Sequence, residues 1–429
     1  MKRSGCIMLA ERIAIGDGVT LCYIHTEKFK TNHMSINFID ELSEERASEN
    51  ALIPAVLMRG SETYPSMALL NRRLDYLYDG GVGSRVYKKG ERQIMAFQFS
   101  FLDDSFVEET SLLFDGMFEM AEEILFHPLV KDGAFDADFT ESEKQNQIDA
   151  IRSKRNNKNS YAVLRCREAM CEGEAYAVSE LGSEEKIRRC DGALLYQRYR
   201  EMIDTCPAVI FYIGHADKQS VCDKLSAMFG GKRSVKAIPD SVYKDAPSQV
   251  KTVEETMAVG QGKLTLGFRA PTLMGSDNAA AYSVFCDIFG NTPNGKLFMN
   301  VREKLSLCYY CSLLSEMNKG ILFITCGINF ADKDKAKDEI LRQLEAIRRG
   351  EISEEEMEAT RQALKSGYKE LEDSPASLEN WYFNRILAGL DTTPEQSLEK
   401  LLAVDVNQVV EEAKKIALDT VYFLKGEEA

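Results

Sequence analysis

Apolar and polar positions along the first half of the chain predict an ordered series of strands and helices. Apolar runs at 17–24 and 34–39 predict two strands, and the helical spacing that follows predicts a helix at 43–58. The rest of the series is a strand at 94–100, helices at 106–126 and 139–155, and a strand at 208–214. Strands that alternate with long helices are typical of an α/β domain.

The second half of the chain repeats this order of elements. It contains a strand at 263–268, a helix at 278–289, a strand at 320–326, helices at 333–349 and 353–371, and a strand at 420–424. Individual residues also correspond loosely: Asn50 with Asn278, Gly60 with Gly290, Arg72 with Arg302 and Tyr78 with Tyr309. A shared order of elements indicates that an α/β domain has been duplicated.

A polar stretch with two prolines separates the two halves and is typical of a linker. We therefore predict two homologous domains, at residues 1–229 and 249–429, joined by a linker at 230–248.

Composition excludes some classes of function. The formal charge of −15 argues against a nucleic-acid partner, because phosphate backbones are bound by surfaces rich in Lys and Arg. No apolar region follows the basic start at Met1–Cys6, and no apolar run is long enough to span a bilayer, so we expect a cytoplasmic protein with no membrane partner. The 11 cysteines have no framework spacing and are predicted to be reduced, mostly buried thiols.

The predicted helix at 43–58 resembles the metal-binding helix of inverted-motif zinc peptidases, in which H-x-x-E-H precedes a short apolar stretch, a basic residue and a Gly. In that register Ala51 and Ala55 occupy the two His positions, and Pro54 occupies the position of the Glu that activates water. Methyl groups and a pyrrolidine ring can neither coordinate zinc nor move a proton. This helix and other landmarks spread over nearly the whole chain resemble the insulinase/pitrilysin metallopeptidase family in its short two-domain form.

The resemblance implies the fold and a third ligand position. Each domain is expected to be a mostly antiparallel sheet packed with helices. In the family a Glu on a later helix is the third ligand, and the matching position here is Ala150, with Glu143 as the first acidic residue of the stretch. The spacing from Ala55 to Ala150 exceeds the usual family separation, so Asp149 is the alternative counterpart. No zinc is expected to be bound by this chain.

Two short motifs in the chain suggest other chemistry. The segment 290–297 matches the phosphate-binding pattern G-x-x-x-x-G-K but lacks the Ser or Thr that would hold Mg²⁺, which argues against a nucleotide site. Cys308 and Cys311 form a C-x-x-C motif, yet positions i and i+3 of a regular strand point to opposite faces. We therefore predict that the two sulfurs lie apart. His127 and His215 are predicted to be polar loop residues rather than ligands.

Residues with a functional role are predicted in the segment 301–309. This segment resembles the family sequence V-R-E-K-x-G-L-x-Y and departs from it at Ser306, where Gly is usual. In the family this Arg and Tyr reach toward the metal-bound peptide from the half that lacks zinc ligands. Arg302 can offer a charged fork to peptide carbonyls or a carboxylate, and Tyr309 can donate a hydrogen bond to a developing oxyanion. An ion pair to a neighbouring acid and packing in the sheet are the structural alternatives for the same two residues.

The resemblance implies a non-catalytic subunit of a heterodimeric zinc peptidase. It would form half of a peptide-binding chamber and supply Arg302 and Tyr309 in trans to a homologous subunit that carries H-x-x-E-H and binds Zn²⁺. The alternative is a scaffold that holds a peptide or protein without cleaving it, since similar proteins are linked by name to modification of elongation factor P and similar pairs to peptide maturation. A homodimer also remains open.

Overall fold

The computed structural model describes residues 9–108 and 112–427. The segment Met1–Cys6, for which the absence of a signal peptide was predicted, lies outside the described residues. The strands are β1 (Glu11–Gly16), β2 (Val19–His25), β3 (Thr31–Glu41), β4 (Gly81–Lys89), β5 (Arg92–Leu102), β6 (Val130–Lys131), β7 (Ala134–Phe135), β8 (Ala208–Gly214), β9 (Lys251–Thr256), β10 (Gly262–Arg269), β11 (Cys308–Glu316), β12 (Ile321–Ile328) and β13 (Ala417–Lys425).

The helices lie between these strands. They are α1 (Ala47–Leu57), α2 (Met67–Tyr76), α3 (Leu112–Phe126), α4 (Ala137–Ser153), α5 (Lys158–Met170), α6 (Glu184–Arg189), α7 (Gly192–Thr205), α8 (Lys218–Phe229), α9 (Ala279–Cys286), α10 (Lys333–Arg348), α11 (Glu354–Leu371), α12 (Pro375–Leu387), α13 (Pro394–Leu402) and α14 (Val406–Lys415). Two π-helical segments, Asp287–Asn291 and Leu297–Lys304, follow α9. Each predicted strand and helix is present, with ends shifted by a few residues.

The two sheets have the same topology. The first has the strand order β1-β2-β8-β3-β5-β4, and the second has the order β11-β12-β10-β13-β9. In each sheet one pair of strands is parallel, β2 with β8 and β9 with β13, and the other pairs are antiparallel. Strands β2-β8-β3-β5-β4 of the first sheet therefore correspond, in this order, to β9-β13-β10-β12-β11 of the second. The corresponding pairs are parallel or antiparallel in the same way, and β1 is an additional edge strand of the first sheet. This match confirms the predicted α/β fold with mostly antiparallel sheets.

Burial explains why the central strands are so apolar. All residues of β8, β10 and β12 are buried, because helices or loops cover both faces of these strands. Helices begin where the sequence supplies caps; α11, for example, follows a capping box formed by Ser353 and Glu356.

The chain divides into two compact units at positions that differ from the predicted boundaries. The first unit comprises residues up to Ile151 together with Val178–Asp240, and the second comprises Arg152–Ala177 together with the residues from Ser241 onward. Helix α5 belongs to the second unit because Tyr161, Cys166 and Met170 pack against strands β12 and β13. The prediction placed this segment in the N-terminal domain, since sequence order alone does not show which sheet a helix covers. The predicted linker contains no regular helix or strand between residues 232 and 248.

Candidate functional site

Helix α1 presents no group that could hold zinc at the motif positions. Ala51 is only 4% exposed, Pro54 is buried inside the helix, and Ala55 is partly buried. Their side chains contain no atom with a lone pair, so these residues do not fit the metal of a zinc peptidase. In the described part of the chain, the groups of three or more metal-ligating side chains include none on α1.

A buried polar network holds the start of α1 in place. Asn50 Nδ2 donates hydrogen bonds to Asp40 Oδ2 at 3.1 Å and to Gln93 Oε1 at 2.9 Å. Arg198 on α7 donates from Nε to Asn50 Oδ1 at 2.9 Å and forms an ion pair with Asp40. Asp40, Asn50 and Arg198 are all nearly inaccessible to solvent, so the network satisfies buried charges and fixes α1 against the sheet.

Helix α4 places Glu143 at the far end of α1. Arg59, just after α1, donates from Nε to the Glu143 carboxylate and from its terminal nitrogen to Ser142 Oγ at 3.0 Å. The surviving acidic residue is therefore held in an ion pair with a basic residue. Both counterparts proposed for the third ligand, Ala150 and Asp149, are exposed, and Asp149 accepts a hydrogen bond from Gln145 Nε2 at 3.0 Å.

The segment of the second unit that carries Arg302 has an unusual backbone. Residues Leu297–Lys304 form a π-helix, and Ser306 follows in the left-handed region with φ of +50°. A non-glycine residue there is strained, which explains why Gly is usual at this position of the family motif. π-Helical turns are rare and often occur at functional sites.

Arg302 and Tyr309 both reach solvent from this segment. The Arg302 side chain is 42% exposed, lies 4.7 Å from the centre of the Phe298 ring and approaches its neighbour Glu303 with an N–O distance of 3.5 Å. Tyr309 is 64% exposed, and its hydroxyl donates to Asn329 Oδ1 at 3.3 Å. The contacts of both side chains are thus local and solvent-accessible, which leaves them able to meet a ligand or another chain.

A β-bulge at Tyr309 overturns the prediction for the C-x-x-C motif. Cys308 pairs with Ile328, but Tyr310 pairs with Gly327, so Tyr309 is an extra residue in β11. The bulge turns Tyr309 outward and brings Cys308 to the same inner face as Cys311. The two sulfurs therefore lie together with that of Cys326, all within 4.8 Å of one another, and the prediction of separated sulfurs was wrong.

Neighbouring side chains favour the thiolate form of Cys308. Hydrogen bonds from Cys311 and Cys326 lower the pKa of Cys308, and the positive charge of Arg302 acts in the same direction. Sequence reasoning missed Cys326, although its inward place on an apolar strand opposite Cys311 was a usable signal.

The G-x-x-x-x-G-K segment is not arranged to bind phosphate. Lys296 is 7% exposed, and its Nζ donates to Glu356 Oε1 at 2.7 Å. A buried lysine already paired with a carboxylate cannot reach a nucleotide, in agreement with the prediction.

Asp287 lies just before this loop, and burial raises its pKa to about 6.

His215 connects two loops of the first unit. Its Nε2 lies 2.6 Å from the Phe29 carbonyl oxygen, and its Nδ1 lies 3.4 Å from Asp103 Oδ1. Both ring nitrogens therefore have protein partners, which agrees with the predicted structural role.

Comparison with known proteins shows what this chain resembles. Residues 194–364 match a family model described as "Peptidase M16 inactive domain". A Bacillus subtilis protein named "Probable inactive metalloprotease YmfF" is 28% identical over 411 residues, which cover 96% of each chain. A conserved protein from Enterococcus faecalis has a crystal structure with a TM-score of 0.89 at 27% identity, covering 98% of this chain and 99% of that one. Residues 194–364 therefore resemble the inactive domain of M16, or insulinase/pitrilysin, metallopeptidases, and nearly the whole chain resembles the Bacillus subtilis protein.

A further solved structure supports the fold alone. The "peptidase M16 inactive domain" from Pseudomonas fluorescens is 14% identical, with a TM-score of 0.79 and coverage of 97% and 98% of the two chains. In the helix that resembles the zinc-binding helix of M16 peptidases, Ala51, Pro54 and Ala55 stand in the place of the motif residues. No helix in the described ranges is long and apolar enough to cross a membrane.

Proposed function

We propose that this chain is the non-catalytic subunit of a heterodimeric zinc-dependent peptidase. It forms one half of a peptide-binding chamber in the cytoplasm, while a homologous subunit with an intact H-x-x-E-H motif binds Zn²⁺ and activates water. The observation that carries the proposal is the exposure of Arg302 and Tyr309 on a backbone shaped by a π-helix and a bulge in the second unit, whereas the motif helix of the first unit has no ligands.

Each exposed side chain has a chemical task in this proposal. The planar guanidinium of Arg302 can donate hydrogen bonds to a peptide carbonyl or, through two parallel bonds, to a carboxylate. Tyr309 can donate to the oxygen of the scissile carbonyl, and this bond strengthens as negative charge develops there. The partner supplies the nucleophile and the Lewis acid, so neither half is complete without the other.

The test is reconstitution with an H-x-x-E-H homologue from the same organism. We expect the mixture to cleave peptides and each chain alone to be inactive. The Arg302→Ala variant is expected to assemble with the partner yet to lower kcat/KM by roughly a hundredfold, the typical cost of losing one transition-state contact.

Arg72→Ala is the matched control, because Arg72 is exposed and corresponds to Arg302 in the first repeat. Equal losses in the two variants would contradict the assigned role of Arg302. A stable pair that binds peptides but never cleaves them would replace the proposal with the scaffold alternative.

A further inference from the structure

Three buried sulfurs form a thiol cluster, which we define as Cys308, Cys311 and Cys326. Cys308 and Cys311 are 7% and 8% exposed, and Cys326 is fully buried. The Sγ atoms lie within 4.8 Å of one another, and the closest pair, Cys311 and Cys326, is 3.0 Å apart. In the described part of the chain, no other group of three metal-ligating side chains comes together in this way.

The backbone builds this cluster in a specific manner. Cys311 and Cys326 are direct cross-strand partners on β11 and β12, so their side chains share one face of the sheet. Cys308 joins them only because of the bulge at Tyr309, which shifts the strand by one residue. Three thiols are therefore placed in the apolar interior of the second unit, beside Leu313 and Val301.

We propose that the thiol cluster binds one soft, thiophilic d¹⁰ metal ion in three-coordinate geometry, with Cu(I) as the favoured ion. Thiolate ligands select soft ions of this kind. The site is separate from the lost zinc motif on α1, and it stands whether or not the chain is a peptidase subunit.

The distances fit three ligands around one ion. Sulfurs that each lie about 2.3 Å from a central metal in a trigonal plane are about 4.0 Å from one another. The observed separations run from 3.0 Å to no more than 4.8 Å, so shifts of about an ångström bring the cluster to that geometry.

The composition of the cluster favours Cu(I) over Zn²⁺. Structural zinc sites are almost always four-coordinate, and among the described residues no His, Asp, Glu or further Cys completes this group. Arg302 lies near enough for its charge to act on the Cys308 sulfur, which offsets part of the negative charge of a thiolate site. A bound ion would hold Cys308 inward and so keep Tyr309 outward.

The test is anaerobic titration of the reduced full chain with Cu(I), buffered by a competing chelator. We expect one ion per chain, and at least about a hundredfold weaker binding in Cys308→Ser and in Cys326→Ser, since each loses a ligand. Cys166→Ser is the matched control, because Cys166 is a buried thiol of the same unit that bonds to the Thr265 carbonyl oxygen. Equal binding by the control and cluster variants, or preference for Zn²⁺ over Cu(I), would overturn the proposal.

A second measurement on the unchanged protein guards against variants that fail to fold. Alkylation in mild denaturant, which gives the reagent access to buried thiols, followed by mass spectrometry should show that Cu(I) slows the labelling of Cys308, Cys311 and Cys326 and leaves the labelling of Cys222, a partly exposed thiol of the first unit, unchanged. Labelling of all three at the same rate with and without Cu(I) would overturn the proposal.

Discussion

The two repeats share a topology but differ in character between the helix α1 of the first repeat and the segment 297–309 of the second. In the first repeat the motif positions on α1 are small, apolar and packed into the core. In the second repeat the segment from Leu297 to Tyr309 is irregular, with a π-helix, a strained Ser306 and a bulge, and its residues 302–306 are exposed. The first repeat also has non-glycine residues with positive φ, at Tyr78 and Asp79, but among the described residues π-helical backbone occurs only in the second repeat. Irregular backbone costs free energy and often occurs at functional sites, which favours a functional role for this segment.

The polar networks of the two repeats also differ. Asn50 and Asn278 occupy equivalent places at the start of α1 and α9. Asn50 is bonded to the Arg198–Asp40 ion pair, whereas Asn278 donates to Glu412 on α14. The network of the first repeat contains a buried ion pair, so mutations in the two repeats should have different effects.

The largest expected effect is on stability in the first repeat. Arg198→Ala should lower the free energy of unfolding of the first unit by about 3 kcal/mol, because the buried Asp40 loses its close ion pair and keeps only Asn50 and a longer contact to Arg46 at 3.8 Å. Chemical denaturation monitored by hydrogen exchange of each unit measures this. Lys218→Ala, which removes an exposed ion pair to Glu11, is the control and should change stability by less than about 1 kcal/mol. A loss of similar size in both variants would contradict a special role for the network.

The next effect is on catalysis by the reconstituted pair. Tyr309→Phe should lower kcat roughly a hundredfold and leave KM nearly unchanged, because the hydroxyl acts on charge that exists only in the transition state. Tyr78→Phe in the first repeat is the matched control, since Tyr78 is 52% exposed and corresponds to Tyr309. Steady-state kinetics with one peptide substrate measure both values. Equal kcat values for the two variants would contradict a special role of the Tyr309 hydroxyl.

A smaller effect is expected at Asp287, which corresponds to Leu57 when both are counted back from the aligned Gly290 and Gly60. Burial raises the pKa of Asp287 to about 6, so the folded state binds the proton more tightly than the unfolded state does. This contribution to stability is present at about pH 4 and is lost as the pH rises through 6. The side chain of the Asp287→Asn variant does not ionise, so the variant should not lose stability as the pH rises. Its second unit should be more stable than that of the wild type at pH 7 by on the order of 2 kcal/mol.

Urea denaturation of wild type and Asp287→Asn between pH 4 and pH 8 measures the difference. Asp223→Asn, at an exposed carboxylate on α8, is the control and should show the wild-type pH dependence. Parallel pH profiles for wild type and Asp287→Asn would rule out the buried carboxylate as the cause.

The smallest effect is expected at the strained turn before β11. Ser306→Gly should raise the melting temperature slightly, by a stability gain of about 0.5–1 kcal/mol, because Gly adopts a φ of +50° without steric cost. Ser306→Ala keeps the unfavourable Cβ and should show no gain. A lower melting temperature for the Gly variant would argue against strain at this residue.

The sequence was sufficient for the fold because both repeats contain strongly apolar central strands and long helices with clear spacing. The edge strands β1, β4 and β11 were not predicted as a set, since half-exposed strands contain mixed side chains that resemble loops. Helix α5 was not assigned, and its membership in the second unit depends on contacts between residues more than 150 positions apart, such as Cys166 with Tyr422.

The candidate site was only partly predictable, because part of it depends on contacts between residues that are distant in the sequence. The absence of the zinc motif is visible in the sequence at Ala51, Pro54 and Ala55. The thiol cluster, in contrast, requires a bulge that the residue pattern does not predict. Whether Arg302 and Tyr309 act on a peptide stays a prediction, because it depends on a second chain.

The most direct measurement of the central claim is peptide hydrolysis by this chain and an H-x-x-E-H homologue, assayed separately and as a mixture at equal concentrations. The account predicts hydrolysis by the mixture alone, with zinc bound by the motif-bearing chain. Zinc-dependent hydrolysis by this chain in isolation, or a homologue that is equally active without it, would contradict the account.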